Sequence, residues 1–299
     1  MRKRIVTALL CLTMVAALTG CGKKEEEVFT IAYAPNESTE QSADARNGLA
    51  QDLEEVLGMK VEEIQASDYT AIIEALRTGQ ADMAYMGPLA IALADERADI
   101  EPIAMKAEEG DKSKAIYHSV LITNSANTEI NSIADIKGKT IAFVDPDSTS
   151  GNLVPTAEIL QAFADENLTS EDLHTNGKFF EAASYSGKHQ AGLQAVIKGD
   201  VDVVPISDNI LESEIANGNA AESDIKIIHT SGAIPAEAMV VRADLDEETK
   251  AKVQEFLLGY DNEAYFEQVI KNPIARFVEC SIEDYEEIID LNKLLNTEE

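Results

Sequence analysis

Hydrophobic and polar positions switch period repeatedly along the chain. FTIAYA (29–34) is a short apolar run of strand character, and residues 43–57 place Ala, Leu and Val along one helical face. KVEEIQA (60–66) reads as a strand, and YTAIIEALRTG (69–79) as a helix closed by Gly79, a residue suited to a left-handed cap. ADMAYM (81–86) is the next strand, and PLAIALADE (88–96) is a helix opened by Pro88. IEPIAMK (100–106) and YHSVLITN (117–124) are two further strands.

The rhythm restarts after residue 125. A short helix at 132–138 precedes a strand, TIAFVD (140–145), and a helix follows from about Ser150. FFEAASYS (179–186), VDVVPIS (201–207), IKIIHTS (225–231) and AEAMVVRAD (236–244) read as strands, with GKHQAGLQAVIKG (187–199) helical between the first two. The tail reads as three helical segments, EETKAKVQEFLLGY (247–260), AYFEQVIKN (264–272) and SIEDYEEIIDLNKLL (281–295). Strands alternating with helices predict two α/β units, each a doubly wound sheet with crossover helices. Such sheets present ligand sites at the carboxyl ends of their strands.

The first residues stand apart. Arg2, Lys3 and Arg4 precede an apolar core of 14 residues (5–18), too short for an ordinary membrane span, and the core ends in Leu18-Thr19-Gly20-Cys21. Small residues before a cysteine at that place resemble the lipobox of bacterial lipoproteins. The resemblance implies a signal peptide over 1–20, cleavage before Cys21, acylation of its thiol, and a charged tether over 21–27. The chain is then expected at the outer face of the cytoplasmic membrane, held by its lipid.

Charge and cysteine content exclude other classes. The chain carries 55 acidic against 24 basic residues, a formal net charge of −31. No basic stripe is available to neutralise phosphates along a nucleic acid. Of the three cysteines, Cys11 lies in the leader and Cys21 is the lipid site, so Cys280 has no partner for an intramolecular disulfide. No CxxC or HxxxH-type spacing occurs, and neither a metal nor a cofactor is expected.

One stretch runs against the acidity. DPDSTSGNLVP (145–155) packs Ser148, Thr149, Ser150 and Gly151 between a strand and a helix. A helix start exposes unpaired N–H groups and partial positive charge, and hydroxyls add donors. Neutral donors can therefore cradle an oxyanion without any net positive charge. A serine that merely caps the helix is the plainer alternative. The stretch is not a P-loop, since it lacks the GK[ST] ending. His189, after Ser186-Gly187-Lys188, begins another helix at a strand edge, where it either donates to the same anion or caps the helix. A hydrolase using Ser148 or Ser150 with His189 is a competing reading, but no G-x-S-x-G elbow is present.

Residues 66–90, 116–124, 143–155, 186–208 and 234–242 together resemble successive segments of the PhnD-type phosphate, phosphite and phosphonate substrate-binding proteins of ABC importers. The D-P-x-S-T-S-G-x-L-x-P stretch is the most specific part. The resemblance implies a non-enzymatic binding protein with the two-lobed periplasmic-binding fold of type II, closing on its ligand about two hinge strands. Lobe one is expected over 28–122 plus 237–299 and lobe two over 123–236, with crossings near 121–124 and 235–240.

By the same resemblance, Ser148, Thr149, Ser150 and His189 hold the phosphorus oxygens, and Tyr69, Tyr117 and Tyr85 face the ligand from the other lobe. Family members that bind aminoethylphosphonate set two acids near the amine. Those positions fall on Glu237 and on Asp208 or Asn209. The implied partners are a small phosphorus oxyanion and an ABC permease, with a monomer as the expected state. A binder of the same fold for another small oxyanion or a vitamin precursor is the alternative.

Overall fold

The computed structural model describes residues 27–35 and 40–296. The leader, the lipobox and Cys21 lie outside the described residues. Strands β1 (Val28–Tyr33), β2 (Lys60–Gln65), β3 (Met83–Met86) and β4 (Ile100–Glu108) alternate with helices α1 (Ala43–Leu57), α2 (Tyr69–Arg77) and α3 (Pro88–Ala98). The chain then passes through β5 (Ile116–Tyr117) into β6 (Ser119–Asn124) and β7 (Thr140–Phe143). A wide turn of π type, Thr149–Leu153, leads into α4 (Val154–Ala162) and the short α5 (Ser170–His174). β8 (Ala182–Tyr185), α6 (His189–Lys198), β9 (Val204–Ser207), α7 (Asp208–Ala216) and β10 (Ile225–Thr230) complete this part. β11 (Ile234–Pro235) leads back to β12 (Ala238–Arg242), α8 (Glu247–Gly259), α9 (Glu263–Gln268), β13 (Ala275–Glu279) and α10 (Glu286–Asn296).

The first lobe is a six-stranded sheet in the order β13-β4-β12-β3-β1-β2. β1 runs parallel to β2 and β3, whereas β12 returns antiparallel between β3 and β4. Its alternation explains its packing. Ile31, Tyr33, Met83, Tyr85, Met239 and Val241 share one apolar cluster with Leu49, Leu53, Val253 and Phe266. Their neighbours Ala32, Ala84, Ala238 and Val240 join Ile72, Leu76, Ile91 and Ile288 in another. Successive side chains of a strand point to opposite faces, so a sheet covered by helices on both sides needs apolar residues at every position. MAYM, buried throughout, is such a strand.

The second lobe sets β6 between β10 and β9, both antiparallel to it, and joins the parallel pair β7–β8 through a bridge from Ile141 to Val203. Two α/β units with helices on their sheets are present as expected, although both sheets are mixed rather than parallel.

The chain crosses between lobes at the two-stranded ribbon β5–β11, where Tyr117 pairs with Ile234. Residues 121–124, expected at the crossing, lie instead inside β6 in the second sheet. The run 117–124 is one apolar stretch, and nothing in its period marks the break at His118. Several elements escaped the sequence reading, among them α5, β11, β13 and α7. β13 adds an edge strand between the second and third helical segments of the tail, where Ala275 and Phe277 supply only a short alternation. α7 follows β9 with no intervening turn, starting directly after Ser207.

Candidate ligand-binding crevice

Ser148, Thr149 and Ser150 are held at the mouth of the Thr149–Leu153 turn by local chemistry. Ser148 takes the cap position, and its hydroxyl accepts the Gly151 N–H at 3.2 Å. The capping alternative is thus met by one of the three hydroxyls, which still has a proton to donate. Gly151 has no room for a side chain: an added Cβ would lie 2.4 Å from Val144 and 2.7 Å from the Ser148 hydroxyl. The Gly151 carbonyl in turn accepts from Val144 N at 3.0 Å, tying the turn to the end of β7. All three hydroxyl residues are buried, at 2–4% exposure.

Thr149 does more than line the turn. Its Oγ1 accepts the backbone N–H of Leu89 at 2.8 Å, across from the other lobe. Leu89 stands in the first turn of α3, whose cap residue Gly87 has no side chain to satisfy the helix's leading donors. Having accepted one hydrogen bond, the Thr149 hydroxyl is left to donate its own proton.

The same crevice is lined by Tyr69, Tyr85, Tyr117 and Glu237 from the first lobe and its ribbon, and by Ser148, Thr149, Ser150, His189 and Ile210 from the second. Tyr69 opens α2 directly after Asp68, whose carboxylate caps Ala71 N at 2.8 Å. Tyr85 stands one residue before the end of β3, level with Tyr33 and Gln65 at the ends of β1 and β2. Tyr117 sits on the crossover ribbon. The space between these groups is small, about 30 Å³ for the centre of a water-sized group, or roughly two such groups abreast.

The electrostatics favour neutral donors. Burial lowers the His189 imidazole from 6.5 to about 3, so the ring is neutral at physiological pH. Its Nδ1 accepts the Ser207 N–H at 3.4 Å, which leaves Nε2 to carry the ring proton. Burial likewise raises the Tyr117 phenol well above its ordinary value, with Glu237 adding to the rise and the Ser150 and Thr149 hydroxyls opposing it. Tyr117 therefore stays a donor.

The two acid positions diverge. Glu237 lines the crevice, but its Oε2 lies 2.7 Å from the Lys106 ammonium. Asp208 does not line it: its carboxylate receives His118 Nδ1 at 2.9 Å. Asn209 lines a separate surface groove with Glu108 and Glu212. The crevice takes Ile210 from this helix start, so an apolar side chain stands where the resemblance suggested an acid. Lys106 and Ile210 were not foreseen. The signal for Lys106 was a lone cation in the apolar run IEPIAMK, which must find an anion once both faces of its sheet are covered. Asp202, thirteen residues after His189, turns away and accepts from Thr140 N and Oγ1, both at 2.8 Å.

Comparison with known proteins places this geometry. The family described as ABC transporter, phosphonate, periplasmic substrate-binding protein matches residues 31–285. The phosphate-import protein PhnD of Mycolicibacterium smegmatis is 28% identical over 276 residues, covering 89% of this chain and 84% of its own. The phosphonates-binding periplasmic protein of Escherichia coli is 29% identical over 269 residues, covering 87% of this chain and 75% of its own. The binding component of a Pseudomonas aeruginosa ABC phosphonate transporter superposes with a TM-score of 0.78 at 25% identity, covering 91% of this chain and 87% of that one. PhnD1 of Prochlorococcus marinus, solved with methylphosphonate, shares the fold at a TM-score of 0.75 and 21% identity, covering 90% of this chain and 98% of that one. These neighbours carry the two-lobed periplasmic-binding fold of type II, and their role is transport rather than catalysis. The chain belongs to the periplasmic substrate-binding proteins of ABC phosphonate transporters.

Proposed function

We propose that this protein captures a small phosphorus oxyanion (a phosphonate, phosphite or phosphate) in the crevice between its lobes and hands it to an ABC permease. Ser148, Thr149, Ser150, His189 and the tyrosines Tyr69, Tyr85 and Tyr117 hold the ligand, with Glu237 at its edge. The observation that carries this reading is the convergence of buried hydroxyls from both lobes, with a neutral imidazole, on one compact space. Uncharged donors in a water-excluding site bind an anion strongly without fixed positive charge. The similarity to importer proteins of known naming supports the ligand class and the permease as partner.

Capture by closure follows from the crossover. Tyr117 lies on the ribbon joining the lobes, and Thr149 reaches across to Leu89. A ligand touching both lobes favours the closed arrangement over the open one. The closed protein, a monomer, then presents both lobes to the permease. Cys21, in its lipobox, anchors the mature chain to the outer face of the cytoplasmic membrane.

A thermal-shift and calorimetry panel of phosphate, phosphite, methylphosphonate and 2-aminoethylphosphonate, with sulfate and an alkanesulfonate as controls, tests the ligand class. At least one phosphorus oxyanion raises the midpoint and gives saturable heat. Absence of heat for every phosphorus compound overturns the reading. Membrane fractionation of cells expressing Cys21→Ser tests the anchor, with the variant expected in the soluble extracytoplasmic fraction.

A further inference from the structure

Lys106 is a charged side chain buried in the first lobe, 6% exposed, on a strand covered from both sides. Its ammonium lies 2.7 Å from Glu237 Oε2, and that oxygen has no aligned hydrogen bond, so the contact is one of charge. Lys106 also sits 5.6 Å from the centroid of the Tyr117 ring. Its backbone N–H donates to the Glu237 carbonyl at 3.1 Å, so the two residues are fixed to one another at both ends. Glu237 is the carboxylate that lines the crevice, and its charge reaches the Tyr117 phenol.

A half-buried carboxylate beside an anion site raises a physical conflict. Left alone, it repels the ligand and bears the cost of its own desolvation. Two cations can remove the conflict: one on the ligand or one on the protein. Here the protein supplies it. Among the described residues of the lining Glu237 is the one acid, since Asp208 is engaged by His118 and Ile210 fills the neighbouring place.

We propose that Lys106 is a specificity-determining residue: as the built-in counter-ion of Glu237 it sets the crevice to accept compact, tail-less phosphorus oxyanions and to refuse zwitterionic aminophosphonates. This inference rests on the crevice being the phosphorus-oxyanion site. A ligand ammonium entering next to Glu237 meets the Lys106 charge and finds no unneutralised carboxylate. A tetrahedral anion with hydrogen, methyl or a further oxygen meets a neutral pair and Ile210.

Calorimetry on the full folded chain with methylphosphonate and 2-aminoethylphosphonate as probes separates the possibilities. The parent protein binds methylphosphonate at least ~10-fold more tightly than the aminated compound. In Lys106→Met the bared carboxylate weakens methylphosphonate and attracts the ammonium, moving the ratio of affinities by ~100-fold toward 2-aminoethylphosphonate. Lys106→Met with Glu237→Gln removes both charges. This double variant recovers methylphosphonate binding relative to Lys106→Met and gains nothing for the aminated compound. It also serves where the single variant fails to fold.

Failure of the parent to bind any of phosphate, phosphite, methylphosphonate and 2-aminoethylphosphonate overturns the functional reading itself. A parent that prefers 2-aminoethylphosphonate overturns only the role given to Lys106. So does a folded Lys106→Met variant with an unchanged ratio, or a folded double variant that no longer binds methylphosphonate.

Discussion

Thr149 caps a helix of the opposite lobe: its Oγ1 accepts the Leu89 N–H at 2.8 Å, at the start of α3. One hydroxyl thereby belongs to two helix starts, its own turn and the facing helix. Such a bond exists only when the lobes are together. It also fixes which way the Thr149 proton points, since the lone pair facing Leu89 is taken.

Thr149→Val keeps the shape but removes the acceptor and the donor. Leu89 N–H is then buried without a partner in the closed state, at a cost of about 1–3 kcal/mol. The open arrangement gains by that amount, and apparent ligand affinity falls by ~10- to 100-fold. Thr149→Ser restores most of it. Calorimetry on the three proteins checks the order, and an unchanged affinity in the valine variant would mean that the cross-lobe bond contributes nothing to closure.

Thr70 makes a second bridge between the lobes, donating to Asp147 Oδ2 at 2.6 Å, but this pair is exposed. Water replaces such a bond readily, so its net worth is at most about 1 kcal/mol. Thr70→Val is therefore expected to weaken binding by no more than about fivefold. Both changes delete one interlobe hydroxyl, but Thr149 is buried and lines the crevice whereas Thr70 does neither, so the larger loss is expected at Thr149.

Gly151→Ala tests the turn itself. The added methyl would lie 2.4 Å from Val144 Cβ and 2.7 Å from the Ser148 hydroxyl, and neither is the tip of a flexible chain. The turn must shift, carrying Ser148, Thr149 and Ser150 with it. Overpacking of this kind costs about 1–3 kcal/mol of stability. Ligand affinity is expected to fall further than the melting temperature alone implies, because the donors lose their common aim. A variant with parental affinity would show that the close approach at Gly151 is dispensable.

The sequence made the cradle legible for a physical reason. Clustered hydroxyls and a glycine between a strand and a helix signal exposed backbone donors, and those are local properties. Tyr69 and Tyr85 were named through the family resemblance, and local pattern placed them only at the start of a helical run and near the end of a strand. What local pattern does not carry is pairing across the fold. Lys106 meets Glu237 only because β12 returns from the far half of the chain to lie beside β4. Asp208 and Ile210 are neighbours on one helix start, and which of them faces inward depends on the tilt of α7 against β9. The break at His118 is equally silent, because β5 and β6 share one apolar run and differ only in the sheet they join.

His189 gives a pH signature of defined sign. Burial lowers its folded value from 6.5 to about 3. Between those values the unfolded chain binds a proton that the folded protein does not. Stability from this group is therefore complete above pH 6.5 and declines as pH falls toward 3, by about 1.4 kcal/mol for each unit. Buried and exposed carboxylates also titrate at the acid end, so the difference between parent and His189→Gln is the quantity to read. From pH 6.5 to 5 the parent is expected to lose about 2 kcal/mol more than the variant in denaturant unfolding. Above pH 6.5 the two curves run parallel. Parallel curves over the whole range would show that the imidazole takes up its proton in the folded state. The donor set of the crevice would then include a cation, contrary to the neutral arrangement of Nδ1 on Ser207 N–H.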